Sequence, residues 1–166
     1  MALTSEVMEL IKKQATEKKL RLDLILAMVE VESSGNPYAM RYEKNYTYYY
    51  RPEIFSKKWN HSLDTEKALQ RFSYGLMQVM GGTARFLGYE GRLIDLINPE
   101  VGLEWGCKYL KNITREYLDI SDQIAYYNGG FGAISFKAKN SERKYPESVE
   151  NHVQKVLKLL NLRIVK

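Results

Sequence analysis

The chemistry open to this chain turns on Glu32, in the run Glu32-Ser33-Ser34-Gly35-Asn36-Pro37. The residues before it, Leu24-Ile25-Leu26-Ala27-Met28-Val29, are apolar almost all round, the mark of a helix packed into a core. Turn-forming residues follow, and Pro37 biases Asn36 away from helical geometry, so the helix must end there. At about 100° per residue, Glu32 stacks over Met28 and Val29, whereas Glu30 lies roughly 200° away, on the side of Asp23 and Ala27. Apolar neighbours and the negative end of a helix both favour the uncharged form of a carboxyl. That is the form a proton donor needs near neutrality. The plainer reading is a surface glutamate at a frayed helix end, and periodicity leaves both open.

Two further stretches carry polar groups in unusual company. In Ser73-Tyr74-Gly75-Leu76-Met77-Gln78-Val79-Met80-Gly81-Gly82, Gln78 is an amide isolated among core-type residues. A buried amide must be satisfied, so it either braces a turn or faces a polar ligand. In Ala125-Tyr126-Tyr127-Asn128-Gly129-Gly130 a helix runs into glycine, and Tyr127 with Asn128 can offer a phenol and an amide to a cleft; alternatively Asn128 only ends the helix. Cys107 is the lone cysteine, which excludes an internal disulfide and reads as a small buried apolar residue. His61 and His152 lie far apart and have no metal-ligand spacing, so neither a metal nor a cofactor is expected.

These groups need a scaffold, and helical periodicity supplies one. Ser5 is placed to cap a first helix to about Lys18, and Asp23 to cap the helix carrying Glu32. A tyrosine-rich stretch follows, Ala39 to Asn60, read as a loop or small β excursion with a short helix near Pro52–Lys58. Its aromatics either form a sugar-stacking wall or tether an insertion to the body. Helices are then expected over Thr65–Phe72, from Asn98-Pro99-Glu100 to about Tyr117, from about Ser121, and from about Pro146 to Leu160, with a Lys/Arg-bearing segment before Lys144.

With 166 residues, 45% of them hydrophobic and 27% charged, the chain suits a single globular domain over 1–166 with its own core. No apolar run approaches the roughly 18 residues that span a bilayer, so stable membrane insertion is not expected, and the N-terminal residues lack a secretory pattern. A net charge of +5 permits attraction to polyanions, but the lysines are scattered and no basic run is interleaved with aromatics, so nucleic acid is not an expected partner.

Taken in order, Glu32-Ser33-Ser34-Gly35-Asn36-Pro37-Tyr38-Ala39, Tyr74-Gly75-Leu76-Met77-Gln78-Val79-Met80 with Thr83-Ala84, Asn98-Pro99, and Ala125-Tyr126-Tyr127-Asn128-Gly129-Gly130 resemble the soluble lytic transglycosylase (SLT) family, a relative of goose-type lysozyme. The resemblance runs from about Ala27 to Gly130. It departs from the family pattern where Met-Pro becomes Met80-Gly81-Gly82, where Ala-Tyr-Asn carries an extra tyrosine (Tyr127 the better match, Tyr126 the other), and in the long Tyr-rich insertion.

The resemblance implies a mostly α, lysozyme-like single domain with little or no β structure. It implies cleavage of peptidoglycan glycan strands at the β-1,4 bond from N-acetylmuramic acid to N-acetylglucosamine. Glu32 would be the single general acid and base, leaving 1,6-anhydromuramyl ends. Gln78 and Tyr127 would contact sugar or orient Glu32, Met77 would lie along the groove, and the Gly75 backbone would approach the substrate. Ser73 would make a polar contact to Glu32 or ligand, and Asn128 would brace the tyrosine loop. A monomer acting at the periplasm or wall is expected, in the setting of a phage endolysin or virion-associated lysin released from the host cytoplasm or carried by the virion, or else of a bacterial enzyme in its mature form. Two alternatives stand beside it. One is a goose-type muramidase using a second acid from Asp64, Glu66, Glu90 or Asp95, and the other is a non-catalytic wall-binding module.

Overall fold

Helix α2, Leu22–Ser33, is the beam on which the molecule is built: Leu24, Ile25, Ala27, Met28 and Val29 are all buried. In the computed structural model, which describes residues 3–135 and 144–164, it is joined by seven other α-helices, a 3-10 helix at Leu93–Ile97 and a small sheet. Helix α1 (Ser5–Lys18) packs on α2 and on α6 (Pro99–Glu116), while α7 (Ile120–Ile134) and α8 (Glu147–Ile164) close the far side, α8 lying against both α7 and α2. The short helices α3 (Pro52–Lys58), α4 (Leu63–Gln70) and α5 (Gly81–Phe86) form a second lobe. The chain is mostly helical, as expected.

Local signals set most of the boundaries. Asn98 caps α6, its side chain accepting from the amides of Glu100 and Val101, with Pro99 in the first turn. Thr4 rather than Ser5 caps α1, accepting from Val7, and Ser62 caps α4, which therefore starts earlier than its apolar residues indicate. Asp23 does not cap α2. Arg21 holds that position without a side-chain cap, and Asp23 instead accepts from the Leu24 amide and pairs with Arg21. The expected basic segment before Lys144 falls largely outside the described residues.

The β structure is a three-stranded antiparallel sheet in the order β1 (Met40–Tyr42), β2 (Phe72–Tyr74), β3 (Val79–Met80). Its register pairs Met40 with Tyr74 and Ser73 with Met80, so it joins the start of the Tyr-rich insertion to the segment around Gln78. Two apolar clusters result. The larger joins α1, α2, α6, α7 and α8 around Ile11, Met28, Met77 and Leu110. The smaller gathers Tyr74, Val79, Leu93 and Leu96 under the second lobe.

Candidate active site

Between these two bodies of structure runs a groove of about 1520 Å³, larger than the roughly 300–1,000 Å³ of a small-molecule site. Glu32 opens into it from the last turn of α2. The helix ends one residue later because Ser34 adopts a left-handed conformation (φ 52°), its amide donating to the Glu30 carbonyl. The Ser33 hydroxyl donates to the Leu76 carbonyl at 2.9 Å, which fixes this helix end to the Gly75–Met80 segment. The Glu32 side chain is only 7% exposed.

The amide of Gln78 braces rather than dangles. Its Nε2 donates to the carbonyls of Ala39 (3.1 Å) and Gly75 (2.9 Å), and its Oε1 accepts from the Ser73 hydroxyl (2.8 Å). These bonds hold Gln78 at φ 48°, a backbone conformation that costs a residue with a Cβ about 1–2 kcal/mol. Both Ser73 and Gln78 are buried yet line the groove, so they form its floor. Gly75 and Met77 lie behind that floor. Gly75, at φ 69°, meets the Leu96 carbonyl, which would stand 2.7 Å from an added Cβ, and Met77 is fully buried against Gly106 and the Cys107 thiol. Neither reaches the groove.

Tyr127 and Asn128 stand on α7, just before Gly130 breaks the helix at φ 63°, ψ −158°, a conformation reserved for glycine. Tyr127 is buried beside Tyr109 (ring centroids 5.0 Å apart), and its hydroxyl donates to the Met77 carbonyl. Burial pushes that phenol well above its usual range, with Glu32, Cys107 and Tyr109 adding to the effect, so it stays neutral. Tyr126 lies less deep and stacks on Tyr117. Asn128 is exposed on the groove wall, with Phe131 beyond it.

The opposite wall is the Tyr-rich insertion, Arg41 to Tyr50. A buried polar network anchors it. Glu66, wholly buried, accepts from Arg85 Nε and Gln70 Nε2 (3.0 Å each) and lies 2.9 Å from His61 Nε2, while Gln70 exchanges hydrogen bonds with the backbone of Tyr50. The Arg85 guanidinium also stacks over the Phe55 ring, 3.9 Å from its centroid. Glu66 is therefore a structural charge. Asp64, Glu90 and Asp95 do not line the groove either, and Glu90 pairs with Lys58. Among the described residues the groove's other carboxylate is Glu43, held by Arg41. A smaller depression beside Tyr38, Ile94 and Asn98 has Asp95 as its one charged group.

Sequence reasoning missed one groove residue of consequence. His152, on α8, places Nε2 3.3 Å from Glu32 Oε1. Periodicity marks α8 as amphipathic but says nothing of which helix end it meets. Among the described residues no cluster of His, Cys, Asp and Glu is arranged to hold a metal ion, and no helix is long and apolar enough to cross a membrane.

Among the described residues, two carboxylates line the groove, Glu32 at the end of α2 beside His152 and Glu43 beside Arg41. Residues 9–149 match the transglycosylase SLT domain, and the chain belongs to that family. Its fold is similar to the crystal structure of an inactive mutant of the lytic transglycosylase Slt from Pseudomonas aeruginosa, with a TM-score of 0.64 at 18% identity. That likeness covers 92% of this chain but only 23% of the other, so the chain spans about a quarter of its length. No curated protein matches the sequence.

Proposed function

We propose that this domain is a peptidoglycan lytic transglycosylase, cleaving the β-1,4 bond from N-acetylmuramic acid to N-acetylglucosamine with Glu32 as its only acid and base. The observation that carries the reading is the burial of Glu32 at the groove, with the other groove carboxylate, Glu43, already paired to Arg41. Hydrolysis by two carboxylates needs a second, free acid across the bond. The four acids that could have served lie elsewhere, which favours the one-acid route over the muramidase.

In that route the Glu32 carboxyl gives its proton to the glycosidic oxygen as the bond from that oxygen to the anomeric carbon breaks. The muramyl 6-hydroxyl then bonds to the same carbon, and its proton passes to the Glu32 carboxylate. The acid is regenerated and no water is consumed. An internal nucleophile held in place reaches effective molarities of about 10⁵ M or more, which removes the need for a positioned water. On this reading Asn128, Tyr126 and the exposed rings of the insertion meet sugar, and Ser73 and Gln78 shape the floor beneath it. Tyr127 supports the acid, and Gly75 and Met77 serve from behind.

The test is the mass of the cleaved ends. Purified peptidoglycan digested by the domain should give muropeptides lighter by one water than the reducing ends a hydrolase leaves. Reducing ends would establish the muramidase instead, and intact strands a wall-binding module.

A further inference from the structure

The inference concerns His152 and rests on the acid and base reading of Glu32. Their side chains are 12% and 7% exposed, and Nε2 stands 3.3 Å from Oε1. Nε2 is sealed from solvent and makes no aligned hydrogen bond among the described residues. Contacts of this kind are often loose before substrate binds and tighten in the working complex. Three other polar side chains of this region are committed: the Ser33 hydroxyl to Leu76, the Tyr127 hydroxyl to Met77, and the Gln78 amide to Ala39 and Gly75. The imidazole is the titratable group whose ring nitrogen lies 3.3 Å from the Glu32 carboxyl and is not committed elsewhere among the described residues.

We propose that His152 is the positioning residue of the reaction: it fixes the Glu32 carboxyl toward the groove and shares one proton with it. When the pair holds that proton, it resides either on the carboxyl, the form that can donate to the glycosidic oxygen, or on the imidazole, where it is stored. After donation the carboxylate beside a neutral imidazole takes the proton of the 6-hydroxyl, and the pair is restored. His152 itself touches none of the reacting atoms.

Other titratable and charged groups face the pair from each side of the groove. They are Lys155 on α8, Tyr126 and Tyr127 on α7, Tyr109 on α6, and Arg41, Glu43, Lys44, Tyr46, Tyr48, Tyr49 and Tyr50 on the insertion. Off the groove, α2 also carries Glu30, and on α8 Glu150 accepts from Gln154. Histidine is the one side-chain type here whose ordinary titration falls between about pH 5 and 8.

Two coupled groups lose their last proton as a pair, at a higher pH than either would alone. Removing the imidazole leaves a lone carboxyl, so the alkaline fall of kcat/KM must move to lower pH. With purified peptidoglycan as substrate, His152→Gln, which restores a hydrogen-bonding group but cannot titrate, should move that fall down by about half a pH unit or more. His152→Leu, which can do neither, should lose about tenfold or more in kcat with KM little changed, and His152→Gln should recover part of that loss.

The assignment is overturned if the wild-type and His152→Gln profiles superimpose, or if both variants change KM alone. Glu32→Gln, assayed alongside, separates the two readings. If it is active, the acid and base reading fails. If it is inactive while the profiles superimpose, only the histidine assignment fails. Should His152→Leu not fold, the displaced profile of His152→Gln decides the question, with His152→Asn as a second neutral replacement.

Discussion

The Tyr127 hydroxyl donates to the Met77 carbonyl at 2.9 Å. This single bond ties α7 to the Gly75–Met80 segment, just as the Ser33 hydroxyl ties α2 to it through Leu76. Three stretches far apart in the chain thus meet beneath the acid, and the two hydroxyls serve as fasteners. Tyr127→Phe leaves the buried Met77 carbonyl without its donor. An unsatisfied buried acceptor costs about 1–3 kcal/mol, which urea unfolding should report as a lower midpoint at unchanged slope.

Glu32→Gln keeps the shape of the side chain and removes its proton chemistry. Anhydro ends should vanish from peptidoglycan digests while circular dichroism and the unfolding midpoint stay close to wild type. Near-normal turnover by the folded variant would refute the role of Glu32.

The second lobe depends on a buried charge pair, so Glu66→Ala strands Arg85, which is 1% exposed. Breaking such a pair from one side costs about 3–5 kcal/mol. Calorimetry should show a large fall in melting temperature.

Gly82 is where the insertion rests on α5. An added Cβ would lie 2.6 Å from both the Tyr46 hydroxyl and the Tyr48 carbonyl, so Gly82→Ala must push the tyrosine wall outward. Turnover against peptidoglycan concentration should show KM raised several-fold and kcat changed far less.

Acid should loosen the junction of α7 and α8. Burial pulls the Asp122 carboxyl upward, but hydrogen bonds from Tyr145 (2.6 Å) and Lys144, and the charge of Lys144, outweigh it and leave Asp122 below its usual range. A depressed carboxylate stabilises the fold above its unfolded value, near about 3.9, and the contribution is lost as pH falls through the lower native value. Wild type should therefore be more stable than Asp122→Asn above about pH 4, the two converging in stronger acid, as measured by urea unfolding across that range.

What could be read from the chain was local. The end of α2 is written in Ser33 to Pro37, and the start of α6 in Asn98-Pro99, because capping and proline geometry act over a few residues. The place of Glu32 at the end of α2 was legible for the same reason. The imidazole beside it was not, since nothing in the pattern of α8 says that His152 turns toward α2 rather than water. In the sequence Glu66 reads only as a possible second acid and Arg85 carries no signal at all, because each alone is an ordinary charge, and only their meeting inside the second lobe accounts for their burial. Strands β2 and β3 are too short for period-two alternation to show.

The two apolar clusters have a consequence for how such a domain can change. Glu32 hangs from the larger one, whereas the tyrosine strip is moored to the second lobe through Gln70 and Gly82. On the proposed reading, mutation can thus remodel the bank that meets the polysaccharide without disturbing the bank that carries Glu32. Preference among wall polymers could then drift while that carboxylate stays in its original mounting.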